Sequence, residues 1–299
     1  MVFLVGLERG FNMLDKNMLE TSKKNAILIN YSEDENKEKL PKGTSKIGGK
    51  PDLPKDFQWF YYNGEDYKKI VENRPLSFLM QINCEEVHKY DKESLLPEKG
   101  MLYFFYELFT MTWGFSPQDR GSAKVFYYDG EIEDLVPADF PENMEKDCII
   151  PESKINFESM NDYPIDFLDY YDVDDSIEET RRKEKEFEKE LEELGYKADT
   201  TKLLGHPELI QGEYWEECEG VAGKNIYYGS APIKYGSDEV KKSIKENAKD
   251  WILLMQVSEL EIGDYGLYFG DSGKIYFNIR KEDLKNKNFD NVWLILQCY

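Results

Sequence analysis

Few residues in this chain could carry chemistry. It has two histidines, His88 and His206, and four cysteines, Cys84, Cys148, Cys218 and Cys298, at least 64 positions apart. Cys84 and His88 stand four apart and would share one face of a helix, yet a closed zinc site needs three or four ligands and His206 is the only other histidine. Gly270-Asp271-Ser272-Gly273 has the look of a hydrolase serine, but such a serine needs a base within reach, so a turn in front of a strand is the better reading. Gly43-Thr-Ser-Lys-Ile-Gly48-Gly49-Lys50-Pro51 is one residue off the phosphate-loop spacing and has Pro51 in place of a magnesium-binding hydroxyl. Its paired glycines predict a tight turn. Asp172-Val-Asp174-Asp175 starts like a calcium loop, then puts Ile177 and Lys183 where Gly and Glu are required. No metal, no cofactor and no general acid–base pair is expected, and the thiols should be reduced and buried.

Two other sets of residues could bind rather than react. Trp113-Gly114-Phe115 followed by Asp119-Arg120 predicts a long loop. Arg120 could pair with an acid, stack on a ring, or join Trp113 in a surface for an acidic or planar ligand. Gln81 and Gln256 interrupt apolar runs, LSFLMQI and ILLMQV. A buried amide must satisfy its donors and its acceptor, so each either pins its strand to a neighbouring backbone or faces a shared cleft. With Asp271, the candidate ligand-binding set is Gln81, Trp113, Arg120, Gln256 and Asp271.

The elements that would position these residues fall in two stretches that resemble each other. KIGGKPDLP, LSFLMQIN and GMLYFFY are followed later, in the same order, by KLLGHPELI, WILLMQVS and GKIYFNI. Pro51 aligns with Pro207, Gln81 with Gln256, Gly100 with Gly273 and Tyr103 with Tyr276. The short apolar runs predict buried strands, joined by KVFYYD and by NVWLILQCY at the C-terminus. Helices are expected near 14–24, 83–90 and 282–287, with a strand at 26–30. The reading is an α+β fold with mixed or antiparallel sheets, built as one domain over 1–299 from pseudo-repeats 46–130 and 202–299, with an acidic helical insert at 131–199 between them.

That insert holds most of the charge. The chain carries 60 acidic and 38 basic residues, a net of -22, and residues 129–200 alone account for 25 acidic and 8 basic, a net of -17. Ser176 predicts a helix N-cap and Gly195 a left-handed stop. Only Phe187, Leu191 and Leu194 give that helix an apolar face, so its first half should be a solvated strut held by ion pairs. Aromatic residues at 14% are too abundant for a disordered polyanion. So negative a chain disfavours nucleic acid and anionic membrane surfaces, and no signal or membrane segment is evident, which predicts a cytoplasmic protein.

SKIGGKPDLP with Trp59, PLSFLMQIN, LLPEKGMLYFFY, WGFSPQDRGS, LLGHPELIQGE, GDSGKIYFNIRKEDL and VWLILQCY, in that order, resemble the YwqG-like family of bacterial proteins. The likeness runs from about residue 26 to the C-terminus and is weakest in the acidic segment. The chain departs from the family in having Phe60 after Trp59, where Pro is usual, and its first dozen residues read as an extension, with Met13 an alternative start. The resemblance implies a compact α+β domain and brings no catalytic residues; association of some relatives with toxin and immunity genes implies partner binding. The expected function is a non-enzymatic binding or immunity module for a protein with a basic surface, using the acidic segment, the Trp113 loop, or both. The alternative is a small-molecule binder or enzyme with a cleft between the two halves.

Overall fold

Short apolar runs bounded by Gly, Pro and Asn make poor helices on their own but serve well as strands covered on both faces. In the computed structural model, which describes residues 20–32, 39–66, 69–164, 176–228 and 237–299, each such run is a strand. In the first half these are β1 (Lys24–Tyr31), β2 (Lys46–Ile47), β3 (Asp52–Pro54), β4 (Tyr61–Asp66), β5 (Lys69–Pro75), β6 (Ser77–Asn83), β7 (Met101–Tyr106) and β8 (Ala123–Tyr128). Then come β9 (Leu135–Pro137), β10 (Ser153–Asp162), β11 (Lys202–Leu204), β12 (Trp251–Val257), β13 (Leu260–Ile262), β14 (Tyr265–Leu267), β15 (Lys274–Arg280) and β16 (Trp293–Gln297). The helices are α1 (Cys84–His88), α2 (Ile177–Glu193), α3 (Trp215–Cys218), α4 (Asp238–Asn247) and α5 (Lys281–Lys285).

A 10-stranded sheet runs in the order β16-β15-β12-β11-β1-β10-β2-β6-β7-β8, and its neighbours pair antiparallel throughout. Short two-stranded pairs, β3-β9, β4-β5 and β13-β14, sit outside it. The fold is therefore mostly β and antiparallel, which corrects the α+β expectation and removes the mixed-sheet option. Helical candidates at 83–90 and 282–287 do form, as α1 and α5, but with one or two buried residues each they cannot make a layer. The candidate at 14–24 falls largely outside the described residues.

The sheet curls until it is nearly closed, like a barrel. Phe289, in the turn before β16, has its ring 5.7 Å from Tyr127 of β8, drawing the two edges together. Residues 113–115, from the β7–β8 connection, run along β16: Leu296 N–H donates to the Trp113 carbonyl at 3.0 Å and Trp293 Nε1 to the Gly114 carbonyl at 2.8 Å. Only glycine allows this approach, because a Cβ on Gly114 would lie 1.9 Å from the Leu294 carbonyl oxygen. Inside, one apolar cluster takes side chains from both halves, and Phe104 of β7 meets Phe277 of β15 edge-to-face at 5.4 Å. That space is filled, so any cleft between the halves lies outside this core.

The segment 131–199 is not an insert. It contributes β9, which pairs with β3, and β10, which lies between β1 and β2 in the middle of the large sheet. SKINFESMND alternates polar and apolar, and the burial of β10 alternates with it over most of its length. The helix is only part of the segment. Ser176 caps α2 by accepting from Glu179 N–H at 3.2 Å, and Gly195 takes φ +79 at its end. Leu191 and Tyr196 pack on Ala26, Leu28 and Met160, while Arg182 binds Glu179 and Glu186 on the exposed side.

Candidate functional site

Gln81 and Gln256 are fully buried and fully used. Gln81 Oε1 accepts from Asp52 N–H at 2.8 Å, and its Nε2 donates to the Thr44 carbonyl at 2.9 Å and to Asp52 Oδ2 at 3.0 Å. Gln256 Oε1 accepts from Glu208 N–H at 2.8 Å, and its Nε2 donates to the Thr200 carbonyl at 2.8 Å. Each glutamine lies between a lysine and a tyrosine on adjacent strands: Lys46 and Tyr103 beside Gln81, Lys202 and Tyr276 beside Gln256. Tyr103 donates to the Asp52 carbonyl and Tyr276 to the Glu208 carbonyl. Both tyrosines belong to clusters separate from the core between the halves, Tyr103 with Leu53 and Leu135, Tyr276 with Tyr214 and Trp293. The glutamines pin strands; they line no common cleft.

Beside Gln256 lies a group of charges that spacing did not reveal. Lys202, fully buried, pairs with Asp162 at 2.9 Å and Glu208 at 3.5 Å, and Lys274 pairs with Glu208 at 3.4 Å and Asp199 at 2.7 Å. Burial pushes the Asp162 carboxyl up despite its lysine. Burial opposes ionisation of Glu208 too, but Lys202 and Lys274 outweigh it and hold that carboxyl below its ordinary range. His206 is driven down to about 3 by burial, with Lys24 adding to the effect, and its Nε2 is 2.9 Å from the Ser22 carbonyl. Nε2 therefore carries the proton of a neutral ring, a structural role rather than that of a base. Cys84 is pushed up to about 12 by burial, and burial also raises Cys218 well above the ordinary thiol. Thiols so placed are poor nucleophiles.

The loop bearing Trp113 is well braced. Asp119 Oδ2 accepts from Gly114 N–H at 2.9 Å and Ser116 N–H at 3.4 Å, and Ser116 caps the short turn beginning at Pro117. Desolvation raises the Asp119 carboxyl to about 6 even so. Trp113 and Phe115 thereby form one wall of a cavity of about 430 Å³. Tyr227, half exposed, sets its ring 5.9 Å from Phe115, and Tyr228 N–H donates to the Phe115 carbonyl at 2.7 Å. β16 supplies the floor through Ile295, Leu296 and Gln297, whose amide is held by Ile210 and Gln211 N–H and by the Gly212 carbonyl.

Carboxylates share this lining with the rings. Glu213 and Glu217 line the cavity, and among the described residues no basic side chain does. Glu217, on α3, has no hydrogen bond or ion pair among the described residues, and burial lifts its carboxyl to about 7. Glu219, two residues on, is opposite in character: burial works against its charge, but Arg280 at 2.5 Å, Trp251 Nε1 and Asn247 together keep it below the usual value. One acid is consumed by the fold; the other is left facing the cavity.

Of the five sequence-derived candidates, only Trp113 reaches this cavity. Arg120 instead donates to the Ala222 carbonyl at 2.8 Å and stacks 5.3 Å over Trp293. Asp271 is exposed in its turn, where its carbonyl accepts from Tyr299 N–H at 2.9 Å. Gly48 and Gly49 make the expected turn at φ +56 and +64, and all four cysteines are free and buried. Asp172 to Asp175 lie outside the described residues. Glu213, Glu217 and Tyr227 escaped notice because about a hundred residues separate them from Trp113; the alternation of acids and rings in GEYWEECEG was the available signal.

Among the described residues no helix is long and apolar enough to cross a membrane. A comparison with curated proteins finds no match. A family match does exist over residues 45–298, which takes in the cavity, both glutamines and every strand of the large sheet except β1. On that match, this chain belongs to the family described as a domain of unknown function (DUF1963).

Proposed function

We propose that this protein is a binding module whose partner is a protein with a basic surface, and that the cavity walled by Trp113, Phe115 and Tyr227 is its docking point. The observation that carries this reading is a braced aromatic cavity with two carboxylates and, among the described residues, no cation in its lining. Rings and carboxylates favour positive charge, and a net of -22 steers a cationic partner from a distance. The engaged state of His206, Cys84 and Cys218 supports binding over catalysis. The same positions in both halves, from Lys46, Asp52, Gln81 and Tyr103 to Lys202, Glu208, Gln256 and Tyr276, support an origin by duplication, and the ordered sequence blocks support the YwqG-like branch. The alternative, a small-molecule binder or enzyme, would use the same cavity, since Trp113 and Phe115 come from one half and Gln211, Glu213, Glu217, Tyr227 and Gln297 from the other.

A photo-activated cross-linker placed at Tyr227 in the full-length protein tests the proposal. Basic segments of a single partner are expected among the captured peptides, and capture should weaken as salt is raised. Cross-links confined to this chain, or spread over unrelated proteins, would refute it. Removing residues 158–196 is not a usable control, because it cuts into β10.

A further inference from the structure

The proposed docking cavity has a chemistry more specific than general negative charge. A cation entering it meets a lining shared by the rings of Trp113, Phe115 and Tyr227 and the carboxylate residue Glu217. About 430 Å³ is ample for the end of one long side chain and too small for a folded element. The aromatic wall suits the alkyl stem or the guanidinium plane, and the carboxylate suits the charged head.

Of the two acids that line the cavity, Glu217 is the one with no hydrogen bond or ion pair among the described residues. Glu219 is taken by Arg280, Trp251 and Asn247. Asp119 is taken by backbone N–H groups of its own loop. Arg120 and Arg280 are directed to the Ala222 carbonyl and to Glu219, so neither is paired with Glu217. The floor is immobile, since the Gln297 amide is spent on the backbone at Ile210, Gln211 and Gly212. A π-helical turn, Glu219–Gly223, follows α3 directly, and such widened turns recur where a helix end is shaped for binding.

Building on the docking role proposed above, we infer that the cavity accepts a single lysine or arginine side chain of the partner, with Glu217 as the residue that selects for its positive charge. Burial of Glu217 makes the empty site partly protonated near neutrality; an entering cation favours the ionised form and expels that proton. Glu213 lies in the same cavity, Glu216 and Cys218 flank Glu217 on α3, and Glu219 with Arg280 is next along. Among the described residues no lysine lines the site to offset this acidity.

The test is calorimetric titration of the full-length protein with N-acetyl-lysinamide, N-acetyl-argininamide and the uncharged N-acetyl-norleucinamide. Binding of at least one cation, none of norleucine, and a loss of about tenfold or more in Glu217→Gln are expected, as for removal of one charge-assisted contact. Tyr227→Ala, at a half-exposed rim position, should weaken the cation without unfolding the chain, with thermal melting as the control. Equal binding of norleucine, or unchanged cation affinity in Glu217→Gln, would overturn the inference. Failure here is separable from failure of the docking proposal: cross-linking to a basic partner that persists in Glu217→Gln keeps the module and rejects this pocket chemistry. Cation binding without any cross-linked partner does the reverse.

Discussion

A buried polar side chain is tolerated when each of its hydrogen-bonding atoms has a partner, and Gln81 meets that condition through Asp52 and Thr44. Gln81→Leu would leave the Asp52 N–H and Thr44 carbonyl unpaired, at a cost of about 2–4 kcal/mol in urea denaturation. Two titrating residues give opposite pH dependences. The His206 ring protonates at about 3 in the folded protein against 6.5 ordinarily, so between these values the unfolded chain binds the extra proton and stability falls as pH falls. Glu217 protonates at about 7 when folded against 4.5 ordinarily, so here the folded chain holds the extra proton, and stability is withdrawn as pH rises through that window. Glu217→Gln should therefore be more stable than the parent above about pH 7, with the advantage vanishing below about pH 4.5, whereas His206→Gln should flatten the acid limb between about pH 6 and 3; denaturation series across pH decide both.

Elements are joined here by devices of unequal strength. Gly48 and Gly195 are both left-handed, but a Cβ at Gly48 would lie 2.2 Å from the Pro151 carbonyl oxygen, while one at Gly195 meets nothing within 4 Å. Gly195→Ala should cost about 1 kcal/mol, the ordinary penalty of a helix stop, and Gly48→Ala about 3 kcal/mol or more, since backbone must move. Lys202 of β11 ties itself to Asp162 of β10 across the intervening β1. Lys202→Met would strand Asp162 as a buried acid and leave Glu208 to Lys274 alone, and is expected to lose about 3–5 kcal/mol, more than any exposed pair on α2 could. The ends of α2 were legible because caps act locally. β10 was hidden by its charged surroundings and by reading residues 131–199 as one block, although its own alternation was plain.

Over the whole molecule, the acids of residues 129–200 that lie among the described residues are spread through a central strand, turns and one helix. It acts as a field rather than as a separable arm. Association with a basic partner should weaken markedly between low and physiological salt, because exposed charges more than about 8 Å apart are screened there. Neutralising Glu186 and Glu192 on exposed α2 should change the rate of association and its salt slope, while Glu217→Gln should change the rate of dissociation. Stopped-flow measurement at several salt concentrations separates the two.

Sequence by itself determined the strands of both halves, the Gly48-Gly49 turn, the caps of α2, the burial of the thiols and the matched positions of Gln81 and Gln256. These depend on neighbours a few residues away, or on a pattern repeated along the chain. Tertiary structure alone decided that ten strands join in one nearly closed antiparallel sheet, that residues 153–162 lie at its centre, and that Trp113 lines one cavity with Glu217 while Arg120 does not. The physical reason is that strand pairing and cavity walls are settled by contacts across a hundred residues or more, where only packing and the disposal of every buried hydrogen-bonding group select among the pairings that local pattern allows.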